Sequence, residues 1–115
     1  MKQLLILCFV LAITFLGVCN ESNKYVEMNT NFGRIVVELY SKKAPATVKN
    51  FLSYVNSGFY DETIFHRVMD GFMIQGGGFD AELNQKETNN PIMNESYNKL
   101  SNVFGTLSMA RTSDP

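Results

Sequence analysis

Arg67 and Gln75 are the side chains of this 115-residue chain best equipped to act on a polar ligand. Arginine keeps its charge at any relevant pH and presents its N–H donors in a rigid fork. Glutamine both donates and accepts, so it can orient an amide. Between them in sequence lie Phe72 and Met73, an aromatic ring and an adaptable thioether that suit an apolar wall. Strand alternation places Met73, Gln75 and Gly77 on one face, opposite Phe72 and Ile74. Each residue also has a plainer reading. A strand arginine commonly serves a surface salt bridge, and an apolar strand residue is by default core. His66, the single histidine, alternates away from Arg67 and reads as a hydrogen-bonded residue beside the site. Alone it cannot build a metal site. Gly76-Gly77-Gly78 is not followed by Lys-Ser or Lys-Thr and leads into a polar segment, which argues against a phosphate loop. The glycines suit a bulge or a close backbone approach instead.

Composition narrows the chemistry further. The chain is 45% hydrophobic and 18% charged, with a net charge of -1, which is ordinary for one globular domain. No basic excess exists to neutralise phosphates, so nucleic acid is not an expected partner. Lys2, the apolar run Leu4–Val18 and the polar exit from Asn20 have the order of a secretory signal peptide, predicted over residues 1–19. The run is shorter than the ~20 residues a membrane-spanning helix needs, the alternative being an uncleaved N-terminal anchor. Phe15-Leu16-Gly17-Val18-Cys19 has the shape of a bacterial lipobox, with Val18 departing from the small residue expected there. Two outcomes stay open: Cys19 lipidated as the mature N-terminus, or plain cleavage and release. Cys8 and Cys19 are the only cysteines, so the chain beyond the leader has no disulfide, thiolate catalyst or thiolate metal site.

The positioning elements follow from periodicity. Tyr25–Met28 and the alternating Arg34–Tyr40 are predicted to pair as a hairpin, with Ile35, Val37 and Leu39 on the inner face and Gly33 in the turn. Val48, Phe51, Leu52 and Val55 recur at helical spacing, which predicts an amphipathic helix from Pro45 to about Ser57, ended by Gly58. Thr63–Val68 and Phe72–Gln75 read as strands joined through Asp70-Gly71. Residues 79–103 are polar and Asn-rich and read as a surface loop. Thr106–Ala110 is predicted to be a fifth strand.

The segment from Phe65 to Phe79, Phe-His-Arg-Val-Met-Asp-Gly-Phe-Met-Ile-Gln-Gly-Gly-Gly-Phe, closely resembles the signature of the cyclophilin family. Supporting matches occur in order at Gly33-Arg34-Ile35, Glu38-Leu39-Tyr40, Ala44-Pro45, Thr47-Val48, Asn50-Phe51, Gly58-Phe59-Tyr60-Asp61, Asn94-Glu95 and Gly105–Arg111. The resemblance covers residues 24–115, and the Ala-Arg-Thr after Met109 looks like the secreted bacterial branch. It implies a mainly β fold, a closed antiparallel β-barrel with a capping helix, and a peptidyl-prolyl cis-trans isomerase acting on proline-containing peptides and unfolded chains as a monomer. It implies no cofactor and no metal. Arg67 falls on the family's catalytic arginine. Phe72, Met73, Gln75, Ala110 and Arg111 fall on substrate-binding positions, with Phe65 and His66 in support. The chemistry fits these residues. An X–Pro bond rotates over a barrier of about 18–20 kcal/mol without any bond breaking, so neither nucleophile nor metal is required. A cationic donor aimed at the imide nitrogen binds the twisted state more tightly than either planar one.

Family domains run to roughly 160 residues, whereas about 96 follow the leader here. The Gln-Phe-Phe block and the later residues that finish the family's pocket are absent, so the barrel is expected to be incomplete. The alternatives are a piece of a longer enzyme, an inactive truncated remnant, or an envelope lipoprotein that binds proline peptides. The leader predicts that the mature protein lies beyond the cytoplasmic membrane, periplasmic or membrane-anchored through Cys19. Intact-mass spectrometry of the native product is expected to show a chain beginning at or just after Cys19, with or without acyl chains. A mass retaining Met1 removes the cleavage reading.

Overall fold

The computed structural model describes residues 22–112, so the predicted leader and Cys19 lie outside the described residues. Four strands and one α-helix form in the order β1 (Lys24–Thr30), β2 (Gly33–Leu39), α1 (Pro45–Asn56), β3 (Thr63–Met69) and β4 (Met73–Asp80), followed by a 3₁₀ turn at Ser96–Asn98. The fold is mainly antiparallel β with a covering helix. Among the described residues the strands make two separate two-stranded sheets, β1–β2 and β3–β4, and no closed barrel.

The first hairpin is in uninterrupted register from Lys24↔Leu39 to Thr30↔Gly33. Its two faces follow the alternation. Val26 and Leu39 are buried and Val37 is half-buried, while the opposite face carries the Arg34–Glu27 ion pair at 3.0 Å and the Tyr25 hydroxyl donating to Glu38 at 3.0 Å. Helix α1 lies over the inner face. Val48 and Phe51 join Val26 and Leu39 in one buried cluster, with Ala44, Leu52, Val55 and Tyr60 packed around it. The apolar stripe read from the sequence is the buried stripe, with Tyr54 added. Ile35, expected inside, is 40% exposed, because α1 covers the Leu39 end of the hairpin.

Helix α1 has no local N-terminal cap. Pro45 opens it, and Ala44 in the capping position has no side-chain acceptor. The carboxylate of Glu95 takes that role from 48 and 49 residues away. It accepts from the Ala46 N–H at 3.1 Å, the Thr47 N–H at 2.8 Å and the Thr47 hydroxyl at 2.8 Å. Two further contacts show the path of the intervening chain. Tyr54 on α1 accepts the Asn89 N–H at 2.8 Å, and the Lys86 ammonium donates to the Phe59 carbonyl and lies 4.8 Å from the Phe59 ring centroid. The chain from Lys86 to Glu95 therefore runs back along α1 from its C-terminal to its N-terminal end. It sets a cation near the negative end of the helix dipole and an anion at the positive end.

Three sequence expectations are corrected. Strand β4 begins at Met73 and runs to Asp80, so Phe72 belongs to the turn and the three glycines to the strand. Residues 79–103 are not purely a surface loop, since Phe79 and Asp80 belong to β4, Phe79 bridges Gln85, and Glu95 is 8% exposed. Thr106–Ala110 is not a strand: all five residues are exposed and pair with no strand among the described residues. A strand persists only where a neighbour meets its N–H and C=O groups.

The Glu95 contact has a pH signature. Burial works to raise its pKa, but the bonds from Thr47 and Ala46 outweigh it and hold the carboxyl below its ordinary value of 4.5. The depressed folded-state pKa means the stabilisation is complete above 4.5 and is lost as pH falls through the lower folded value. Glu95→Ala is expected to cost about 1–3 kcal/mol at pH 7 in urea unfolding. The difference from wild type is expected to shrink below pH 4. A gap of equal size at pH 3 and pH 7 contradicts the assignment.

Candidate functional site

The β3–β4 hairpin carries most of the residues singled out in the sequence. Its turn, Asp70-Gly71-Phe72, is closed by the Phe72 N–H donating to the Met69 carbonyl at 3.1 Å, with Gly71 at φ +68°. Three loop residues with a left-handed glycine make a standard hairpin connection. This turn fixes the register Met69↔Met73, Val68↔Ile74 and Arg67↔Gln75. Directly opposed residues share a face of an antiparallel pair. Arg67, Met69, Met73 and Gln75 thus occupy one face, and Val68 and Ile74 the other, 69% and 54% exposed.

The regular ladder ends there. Phe65 pairs with Gly76 and Arg67 with Gln75, so His66 is an extra residue on β3 with no counterpart on β4. This is a β-bulge, which bends the strand and re-aims its side chains. Phe65 crosses over the β4 backbone: a Cβ on Gly76 would lie 2.7 Å from the Phe65 ring and 2.8 Å from the Ile64 carbonyl oxygen. A second irregularity, between Thr63↔Asp80 and Phe65↔Gly76, puts the extra residues on β4 in the span of Gly77 and Gly78, so the bulge and the close approach expected of the glycines are both present. His66 turns its ring onto Phe79, with centroids 4.5 Å apart. Its Nδ1 is buried without a hydrogen-bond partner, so contrary to the sequence expectation ring packing against Phe79, not a hydrogen bond at Nδ1, seats this histidine.

Arg67 is exposed and makes neither an ion pair nor a hydrogen bond among the described residues, where the one ion pair joins Arg34 to Glu27. Met73 and Gln75 are half-buried. Phe72, 77% exposed at the turn, stands at the end of the same hairpin. Ala110 and Arg111 are not brought to this group by any pairing or hydrogen bond. They sit in an exposed segment, and among the described residues the Arg111 Nε donates only to the Thr112 carbonyl at 3.4 Å. Open depressions of about 440 and 480 Å³ flank the Tyr40–Pro45 turn and α1, and contain none of Arg67, Met73 or Gln75. The free guanidinium beside an amide is the better guide to chemistry, because those hollows lack any convergent set of functional groups.

Sequence reasoning assigned no role to two residues that hold the elements in place. Glu95 lies in a polar stretch that looks solvated, and Tyr60 lies outside both periodic patterns. Neither has a local signal, because each acts on residues distant in sequence or in another element. Both lie in segments that carry the family resemblance, Gly58-Phe59-Tyr60-Asp61 and Asn94-Glu95, but the resemblance does not say what they hold; Tyr60 belongs with Tyr54 and Phe59. These rings stack at 4.5–5.9 Å at the C-terminal end of α1.

The family described as "Cyclophilin type peptidyl-prolyl cis-trans isomerase/CLD" matches residues 25–115. A peptidyl-prolyl cis-trans isomerase of Acinetobacter baylyi is 57% identical over 94 residues, covering 82% of this chain and 50% of the relative. Peptidyl-prolyl cis-trans isomerase A of Dickeya dadantii is 55% identical over 93 residues, covering 81% of this chain and 49% of the relative. Peptidyl-prolyl cis-trans isomerase B of Escherichia coli is 58% identical over 90 residues, covering 78% and 55%. The chain spans about half the length of these relatives. It belongs to the cyclophilin-type peptidyl-prolyl cis-trans isomerase family.

Proposed function

We propose that the protein carrying this chain is a peptidyl-prolyl cis-trans isomerase that acts on proline-containing peptides and unfolded chains. The observation that carries this reading is the unpaired Arg67 guanidinium, held across the ladder from Gln75 on a face shared with Met73. Rotation about the imide bond removes amide resonance and leaves a better acceptor at nitrogen. Arg67 supplies a charged donor to that nitrogen without losing its own ion-pair partner. Gln75 orients the neighbouring peptide group through its donor and acceptor. Met73 and Phe72 contact the proline ring, with Phe65 and His66 supporting the wall. Ala110 and Arg111 meet the substrate backbone from the other side of the groove.

In the same reading, residues 1–19 are an export leader and residues 24–115 belong to the isomerase domain. The start of the family match at residue 25 supports that boundary. The enzyme then assists folding in the cell envelope as a monomer, free in the periplasm or held to the membrane by a lipidated Cys19.

Arg67→Ala in the full-length gene product is expected to lower kcat/KM for an X–Pro peptide at least about tenfold, equivalent to ~1.4 kcal/mol. Folding is expected to survive, because Arg67 is exposed and supports no ion pair. Arg67→Lys is expected to be impaired as well, since a point charge replaces the fork. Near wild-type turnover in the alanine variant removes Arg67 from the mechanism.

A second outcome concerns residues 20–115 alone. Val68, Phe72 and Ile74 are 69%, 77% and 54% exposed, so one face of the hairpin and its turn lack apolar cover. Both sheets also present unpaired strand edges. This span is expected to aggregate or to exchange its β3–β4 amides rapidly, and to give no turnover above background. A well-protected monomer with turnover contradicts this and shows that one groove wall suffices.

A further inference from the structure

What holds the β3–β4 hairpin against the helical layer is a separate question from what the hairpin does. Among the described residues no strand pairing joins it to β1–β2. Tyr60 touches both of its strands. The Tyr60 carbonyl accepts the Thr63 N–H at 3.2 Å and the Thr63 hydroxyl at 2.7 Å, which fixes the first residue of β3. The Tyr60 ring meets β4 at Gly77 with its Cδ1–Cε1 edge: a Cβ there would stand 2.9 Å from Cε1 and 3.0 Å from Cδ1. Gly77, at φ +90°, is the residue that admits the ring. The ring in turn packs against Phe51 of the core at 5.4 Å and against Tyr54 and Phe59 at 5.9 and 5.5 Å. Burial, and secondarily Tyr54, raises the pKa of the Tyr60 phenol, as a ring inserted between layers requires.

We infer that Tyr60 is a positioning residue for the groove: its carbonyl anchors β3 four residues before Arg67, its ring anchors β4 two residues after Gln75, and together they set the Arg67–Gln75 alignment. Tyr60 makes no hydrogen bond to either residue. The alignment matters at the scale of the contact, because a misplacement of about 1 Å costs on the order of a hundredfold in rate. The bulge at His66 makes such support necessary, since Phe65 and Arg67 face different partners across it and the ladder alone does not fix the angle between them.

The kinetic consequence rests on the isomerase reading, so the test has a second readout. In the full-length gene product, Tyr60→Met keeps apolar volume but removes the flat ring, and Tyr60→Phe keeps the ring. Tyr60→Met is expected to lower kcat at least about tenfold with little change in KM, and to shift the Arg67 Nε–H and Gln75 side-chain amide resonances. Tyr60→Phe is expected to restore both readouts to within about twofold of wild type. A purely structural Tyr60 would lower the melting temperature of Tyr60→Met and leave the kcat of the folded enzyme and both resonances unchanged; that result overturns the inference. If wild type shows no turnover, the isomerase reading fails, and the resonances alone decide on Tyr60. If Tyr60→Met does not fold, Gly77→Ala presses on the same ring from the other side. It is expected to move the same two resonances, and unmoved resonances there overturn the inference equally.

Discussion

The carboxylate of Glu95 at the N-terminus of α1 is the contact on which the helical layer depends. An α-helix begins with N–H groups that have no partner within the helix, and Ala44 offers none. Burying a carboxylate is costly unless its hydrogen bonds are met. Here three donors meet it, and the helix dipole adds to them. The bond closes a long loop, and closure entropy grows only slowly with loop length, so one well-satisfied carboxylate suffices where several weak contacts would not. Asn89 on Tyr54 and Lys86 on Phe59 distribute the closure along the helix. The rings at the C-terminal end of α1 are thereby held from outside as well as from the core, and Tyr60 among them reaches β4.

The sequence made the local elements legible because each rests on a period. Val48, Phe51, Leu52 and Val55 could only share a face in a helix, and α1 buries that face. The alternation of Arg34–Tyr40 correctly placed Val37 and Leu39 inward. The turn at Asp70-Gly71 and the bulge-forming role of the glycines also follow from local backbone chemistry. What the sequence hid was long-range. The 3.6 and 2.0 periods say nothing about which carboxylate caps a helix 48 residues away. They also do not count an extra residue such as His66, which shifts Phe65 and Arg67 onto different partners. The strand expected at Thr106–Ala110 failed for a related reason. Its alternation is a property of the segment, but its existence depends on a pairing edge, and none meets it among the described residues.

The site is legible to a different degree. Arg67, Met73 and Gln75 were singled out by type and motif, and the ladder puts all three on one face. Phe72 is near them by way of the turn, not the strand, which accounts for its reaching the same end of the hairpin despite opposite parity. Ala110 and Arg111 were also singled out, yet among the described residues no pairing brings them to this face.

The three consecutive glycines of β4 impose three different limits on how this sequence can drift. At 76 a side chain would meet the Ile64 carbonyl oxygen at 2.8 Å, and backbone has nowhere to yield. At 77 the obstacle is the Tyr60 ring together with a positive φ, so replacement has to wait for a change at 60 and then favours asparagine over branched residues. At 78 nothing lies within 4 Å, and the position is open. Identical letters in a row thus carry a fixed site, a site coupled to a second position and a free site. The order in which substitutions could accumulate along β4 is set by its neighbours, with 78 first, 77 only after 60, and 76 last.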